Sequence, residues 1–389
     1  MNKNIFLLSV CQSLFNSSSS ILVLTAGLTG YLLLDNNLAF ATIPVSAMVI
    51  GTSISTAPAA ALMKRYGRKK GFSFGSIIGI FGTLITLFAI ISYSFWVFVL
   101  GVFLIGMFHG FGHHYRFAAA ELVEKNFIGK AISLVVAGGI VAAFLGPEVA
   151  ARTSEIFPSY KFLGAYISVG ILIIIGLIMI QIINFKEFNS IETDENERPL
   201  SKIIFKPNFI LAIMSSMIGY SVMVLVMTAT PIAMVEHFKH NLHDAKFVIQ
   251  WHVVAMFAPS FFTGSLISRL GINKVIFIGV ISLFLSVIIL INDVRFINFW
   301  LSLFFIGIGW NFTFIGGSTL LASIAKPSER AKVQGTHDFF VFFFVAISSI
   351  LSGVILQYYG WKAIGYGCIP FILLLITILI WTNLNFKNK

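Results

Sequence analysis

Ala60-Ala61-Leu62-Met63-Lys64-Arg65-Tyr66-Gly67-Arg68-Lys69-Lys70 reappears in outline, about two hundred positions later, as Gly264-Ser265-Leu266-Ile267-Ser268-Arg269-Leu270-Gly271-Ile272-Asn273-Lys274. Both copies read small-x-Leu-x-x-Arg-x-Gly-x-x-Lys, and both lie between long apolar segments. A loop of one kind repeated at this interval marks a duplicated helical bundle, the two copies being equivalent corners of two repeats.

The apolar segments set the solvent. Of 389 residues, 58% are hydrophobic, 11% are charged and 41 are Phe. That much apolar surface exceeds what a water-soluble core encloses, so the class is a polytopic membrane protein. Twelve segments are long enough to span, roughly 5–31, 38–60, 71–92, 95–120, 130–152, 161–184, 207–233, 246–267, 273–292, 296–323, 333–357 and 361–383. The expected fold is all-α: twelve transmembrane helices in two pseudo-symmetric bundles of six, residues 1–184 and 207–389. Residues 185–206 join them as a polar, aperiodic linker containing Glu187, Glu192, Asp194, Glu195, Glu197 and Pro199.

The net charge of +11 reports topology rather than nucleic acid. With the N-terminus inside, nineteen Lys and Arg fall on the cytoplasmic side and six on the other. This positive-inside bias puts both termini in the cytoplasm and the protein in a cytoplasmic (inner) membrane, with the lipid bilayer as its first partner. Cys11 and Cys368 both sit in apolar segments and read as small hydrophobes, not as a disulfide. No Gly-x-x-x-x-Gly-Lys-Ser/Thr loop occurs, and no Ser/His/Asp or His-Glu-x-x-His arrangement. The pattern therefore carries neither an ATP-driven pump nor a hydrolase, and no enzyme or cofactor is expected.

Arg65, Gly67, Arg68 and Lys69, the even six-plus-six split, and Pro327-Ser328-Glu329-Arg330-Ala331-Lys332-Val333-Gln334-Gly335 between spans 10 and 11 together resemble the major facilitator superfamily over the whole chain. Gly138-Gly139 followed by Gly146-Pro147 in span 5 is similar to a family element, partially matched. At the family's acidic position in the duplicated loop this chain has Lys64, and Ser268 in the second copy. The resemblance implies a monomeric secondary transporter working by alternating access, with spans 1, 4, 7 and 10 facing the substrate. It also implies gating roles for Arg65, Arg68 and Arg269.

Those four spans carry polar residues to match: Gln12 and Asn16; His109, His113, His114 and Arg116; Tyr220, Thr228 and Thr230; Trp310, Asn311 and Thr313. Ionisable groups at membrane depth cost about 2.5–3.5 kcal/mol each on insertion scales, so each needs a reason. On an unbroken helix His109, His113 and Arg116 share a stripe about 60° wide, while His114 and Glu121 centre more than about 100° from it. A guanidinium there either grips an anionic group of a solute or pairs with Glu121 or Asp338. His337-Asp338 opens span 11 near its cytoplasmic end and offers a carboxyl that can couple a proton to conformation.

The expected solute is a small organic molecule, with an anionic or zwitterionic group slightly favoured, moved together with protons. The substrate set is Arg116, His113, His109, Asn16, Thr230, Trp310 and Asn311. The coupling and gating set is Asp338, His337, Glu121, Arg65, Arg68 and Arg269. Two alternatives stand beside this. His109 and His113 have the i, i+4 spacing of half a metal site, which suits a metal-ion exporter. Lys64 and Ser268, replacing the acidic residue, suit a transport-inactive sensor or assembly factor of the same fold.

Overall fold

The computed structural model describes residues 3–34, 43–185 and 198–387. Most of the linker, 186–197, lies outside the described residues. Among the described residues the secondary structure is helical: α1 (Lys3–Leu33), α2 (Ile43–Tyr66), α3 (Arg68–Ile91), α4 (Phe95–Gly112), α5 (Tyr115–Glu121), α6 (Ile128–Ala137), α7 (Gly139–Thr153), α8 (Leu163–Ile182), α9 (Ser201–Ile204), α10 (Pro207–Ile232), α11 (Leu242–Phe257), α12 (Ser260–Leu270), α13 (Ile272–Asn292), α14 (Phe296–Ile324), α15 (Arg330–Tyr359) and α16 (Trp361–Lys387). Among the described residues, twelve spans are long and apolar enough to cross a membrane, matching the twelve read from the sequence. A helix satisfies all its backbone hydrogen bonds internally, which a lipid-facing segment must do.

Three spans that the sequence reads as single helices are interrupted. Span 4 breaks at His113-His114 into α4 and α5, span 5 at Gly138 into α6 and α7, and span 8 at Ala258-Pro259 into α11 and α12. Pro259 supplies no backbone N–H, and glycines surround the other two breaks, so the local chemistry permits each one.

The duplicated loop folds the same way twice. Gly67 has φ 86° and ψ 161°, and Gly271 has φ 88° and ψ 155°. Each donates its N–H to the carbonyl four residues back, Met63 at 3.0 Å and Ile267 at 2.9 Å. This backbone region is essentially reserved for glycine, which explains why Gly is kept in both copies while its neighbours differ.

The contacts divide the chain into two units. Unit 1 comprises Met1–Leu122, Gly138–Glu192 and Gln334–Phe339; unit 2 comprises Val123–Ala137, Thr193–Val333 and Phe340–Lys389. In unit 1, α2 and α3 pack on α4, and α1 packs on α7 and α8. In unit 2, α10, α11 and α13 surround α14, and α6 packs on α12. Glycines set the approach. A methyl group added at Gly106 would strike the Met48 carbonyl, and one at Gly110 the Ser55 hydroxyl, so α4 lies backbone-close to α2. Gly317 meets Ser216 and Ala212 in the same manner where α14 crosses α10. With no hydrophobic drive between helices in lipid, such close dispersion contacts and short polar bonds carry much of the packing.

Candidate functional site

The polar residues of unit 1 gather where α4 gives way to α5. The His113 N–H bonds to the His109 carbonyl at 3.1 Å, but the next donor tightens: His114 N–H reaches Phe111 O at 3.1 Å, three residues back. Downstream, Phe117 N–H goes to His114 O. The His113 carbonyl is thereby released from the helix ladder, and Arg116 Nη1 donates to it at 2.7 Å. The irregular turn thus fixes the arginine that follows it, and the 60° stripe expected of an unbroken helix is not maintained across His113-His114.

Arg116 Nη2 donates to Asp338 Oδ1 at 2.5 Å. The two side chains are 3% and 0% exposed, and the guanidinium carbon lies 4.4 Å from the centre of the Phe117 ring. His337 Nδ1 lies 2.8 Å from the same Oδ1. A carboxylate only accepts, so that nitrogen carries the proton in the ionised state. Asp338 Oδ2 has no hydrogen-bond partner among the described residues. A buried pair of this kind repays its desolvation only when both members are present, and removing one leaves the other stranded.

A second layer lies beside it. Arg68, the motif arginine of the first duplicated loop, grips Glu121 in two places, Nε to Oε2 at 3.0 Å and Nη2 to Oε1 at 2.7 Å. Nη2 also donates to Gln334 Oε1 at 2.8 Å. Of the two carboxylates weighed for Arg116, then, Asp338 takes it and Glu121 serves Arg68. In the second copy Ser268 bonds the Gly264 carbonyl of its own helix at 3.0 Å. Arg65 and Arg269 are exposed at the ends of α2 and α12. Gln334 was not singled out from the sequence, although it lies within the quoted Glu329 to Gly335 motif.

His109 and His113 share contact with one aromatic ring. Phe15 of α1 stands edge-on to both at 5.2 Å, with interplanar angles of 86° and 82°. Gln12 Nε2 donates to Asn16 Oδ1 at 3.2 Å. His109 Nε2 and Asn16 Nδ2 are buried without partners among the described residues, leaving donor or acceptor capacity on this face of α1 and α4. His114 instead is held in place by Thr56 O at 3.1 Å from its Nε2. No group of three or more metal-ligating side chains converges among the described residues.

Unit 2 presents a different chemistry. The Asn311 amide is fully used, Nδ2 donating to Met256 O and Ser260 Oγ at 2.6 Å each and Oδ1 accepting from Thr263 Oγ1 at 2.7 Å. It bridges the Pro259 break, tying α11 and α12 to α14. The Thr230 hydroxyl bonds Val226 O of its own helix at 2.8 Å. Around Trp310 is an aromatic cluster. Phe314 stacks on it at 5.1 Å and 14°, and Tyr220 and Phe257 stand edge-on at 5.4 and 5.6 Å. Tyr220 also meets Phe314 and Phe342 edge-on at 5.4 and 5.7 Å. The sequence reading named Trp310 and Tyr220 but not their grouping. The i, i+4 spacing of Trp310 and Phe314 was the available signal.

At the start of the second half of the linker, Arg198 pairs through two hydrogen bonds with Glu329. That bonding to the carboxylate holds the guanidinium above its usual pKa. Lys332 Nζ donates to the Arg198 carbonyl at 2.5 Å. The Glu329 motif therefore anchors the chain as it leaves the linker.

The family model of the Major Facilitator Superfamily matches residues 5–239 and again residues 211–386. The chain belongs to the major facilitator superfamily. It is similar to a riboflavin transporter, RfnT, of Brucella anthropi, with 37% identity over 97% of this chain and 95% of that protein. Among solved structures, it shares its fold with the human organic anion transporter MFSD10 at a TM-score of 0.79 and 12% identity, over 97% of this chain and 100% of that one. The family transporter FucP in the outward conformation gives a TM-score of 0.76 and 15% identity, over 98% of each. The protein is thus a multi-pass membrane transporter of a small solute and not an enzyme.

Proposed function

We propose that this superfamily member is a proton-coupled secondary transporter of riboflavin or a close flavin relative. Its place is the cytoplasmic membrane, and both termini face the cytoplasm. The observation that carries the reading is the 37% identity to a riboflavin transporter along almost the full length of both chains. An aromatic cluster on α10, α11, α14 and α15 supports it, because the isoalloxazine of riboflavin is a flat, uncharged tricycle that stacks well on such rings.

A neutral solute changes the part assigned to Arg116. Its guanidinium is engaged by Asp338 and the His113 carbonyl, so we read it as coupling machinery rather than as an anion grip. Protonating Asp338 removes the charge that holds Arg116 and releases both groups, which lets a proton on one side of the membrane bias the change of state. Arg68, Glu121 and Gln334 supply a second contact that breaks and re-forms in the same cycle. The nineteen-to-six distribution of basic residues supports the orientation.

The test is uptake of radiolabelled riboflavin by proteoliposomes with and without an imposed pH gradient. Saturable flux that rises with the gradient and is abolished by a protonophore supports the proposal. Flux indifferent to the gradient removes proton coupling, and absence of flux removes the flavin assignment.

A further inference from the structure

Resting on the flavin reading above, we infer that the ring system of the solute is recognised within unit 2, stacked against Tyr220 and Phe257 with the Trp310 indole N–H donating to an acceptor on its edge. Trp310 is 3% exposed, and its Nε1 has no hydrogen-bond partner among the described residues. An indole N–H buried without a partner is costly, and native structures generally keep such groups where something else completes them. The polar neighbours on the same turn do not. The Asn311 amide is occupied by Met256, Ser260 and Thr263. The Thr313 hydroxyl points its one hydrogen back along its own helix, with Gly309 O at 2.8 Å and Trp310 O at 3.2 Å.

The rings around that donor define what it takes. Phe314 and Phe342 are buried, whereas Tyr220 and Phe257 are half-buried. Phe314 lies parallel to the indole and Tyr220 and Phe257 nearly perpendicular to it, so the cluster offers flat walls meeting at an angle with a single N–H among them. None of the five residues is charged, so the cluster supplies nothing for a phosphate or carboxylate. A polyol needs several matched donors and acceptors, and one indole N–H with one phenol does not meet that need. The class that fits is a neutral, planar heteroaromatic with carbonyl or imine acceptors along one edge. In riboflavin that is the isoalloxazine and not the ribityl chain.

The experiment is a titration of the full-length, detergent-purified chain with riboflavin, read by quenching of flavin fluorescence, with ligand-free melting temperature confirming the fold of each variant. Trp310→Phe keeps an aromatic ring at the position and removes the N–H, and should weaken binding about fivefold. Phe257→Ala, at a half-buried position, should weaken riboflavin and lumichrome alike by about two- to tenfold, and carries the test if Trp310→Phe does not fold. Lumichrome, the ring system without the sugar chain, should compete, and ribitol should not. Wild-type affinity in both variants, or displacement by ribitol and not by lumichrome, overturns the assignment of the ring to this cluster. Wild-type protein that neither binds nor transports riboflavin overturns the flavin reading itself, which separates the two failures.

Discussion

Arg116 and Asp338, more than two hundred positions apart in the chain, share a 2.5 Å hydrogen-bonded ion pair that water scarcely touches. The pair exists because a helix fails at His113-His114. The tightened turn frees the His113 carbonyl, the carbonyl orients the guanidinium, and the guanidinium meets a carboxylate on the first turns of α15. Breaking one side of such a pair is far more harmful than removing both. Arg116→Ala should lower stability by about 3–5 kcal/mol, whereas the double variant Arg116→Met/Asp338→Leu should recover most of that loss. Thermal unfolding of the single and double variants in one detergent reads the difference. Equal melting temperatures for Arg116→Ala and wild type would mean the pair is not formed.

The same double variant should still lose gradient-driven flux. It restores packing but lacks the Asp338 carboxyl proposed to take up the proton. Counterflow of solute at equal pH, compared with uptake driven by a pH gradient, checks this: the first persists and the second collapses. Gradient-driven uptake at the wild-type rate would remove Asp338 from coupling.

Gly67 and Gly271 occupy nearly one point in backbone space, φ 86° and 88°. Alanine there is strained whatever room surrounds it. Gly67→Ala and Gly271→Ala should each cost about 1–3 kcal/mol, and by similar amounts, since the two corners are structural copies. Melting temperatures unchanged in either variant would contradict the assigned backbone.

Arg68 and Glu121 meet by two parallel hydrogen bonds, a geometry lysine cannot reproduce. A double-mutant cycle of Arg68→Ala and Glu121→Ala should show a coupling energy of roughly 0.5–3 kcal/mol. Arg68→Lys should recover only part of it. Additive single effects would show that the two act independently.

Asn311 holds three partners across the Pro259 break. Leucine fits the volume but takes the Asn311 donor from the Ser260 hydroxyl and the Met256 carbonyl in an apolar setting, while the Thr263 hydroxyl keeps its bond to Pro259 O at 2.8 Å. A loss of about 2–4 kcal/mol is expected, at roughly 1–3 kcal/mol per stranded group with partial relaxation. Asn311→Leu melting like wild type would show that the break is held by packing alone.

Much of the fold was legible because the bilayer writes it in long apolar runs. All twelve spans were marked by hydropathy, and the paired loops at Gly67 and Gly271 marked the repeat. The interruptions at His113, Gly138 and Ala258 were not, because hydropathy is blind to one lost backbone bond within an apolar run. Of the candidate site, the sequence placed Arg116 and Asp338 on the right spans and weighed their pairing, since a buried charge demands a partner. It could not choose between Asp338 and Glu121 without the turn that aims the arginine. It read Asn311 and Thr230 as open to solute, although Asn311 is spent across a helix break and Thr230 on its own helix carbonyl. Which polar side chains are already satisfied is a property of helix packing. The Trp310 cluster escaped for the same reason: among 41 Phe residues, composition does not say which rings meet.

Riboflavin transport by the purified protein is read from initial-rate uptake into proteoliposomes against unlabelled competitors. Saturable riboflavin flux is expected, driven by a pH gradient, inhibited by lumichrome and unaffected by ribitol. Empty-vesicle rates of riboflavin entry at every gradient would contradict it.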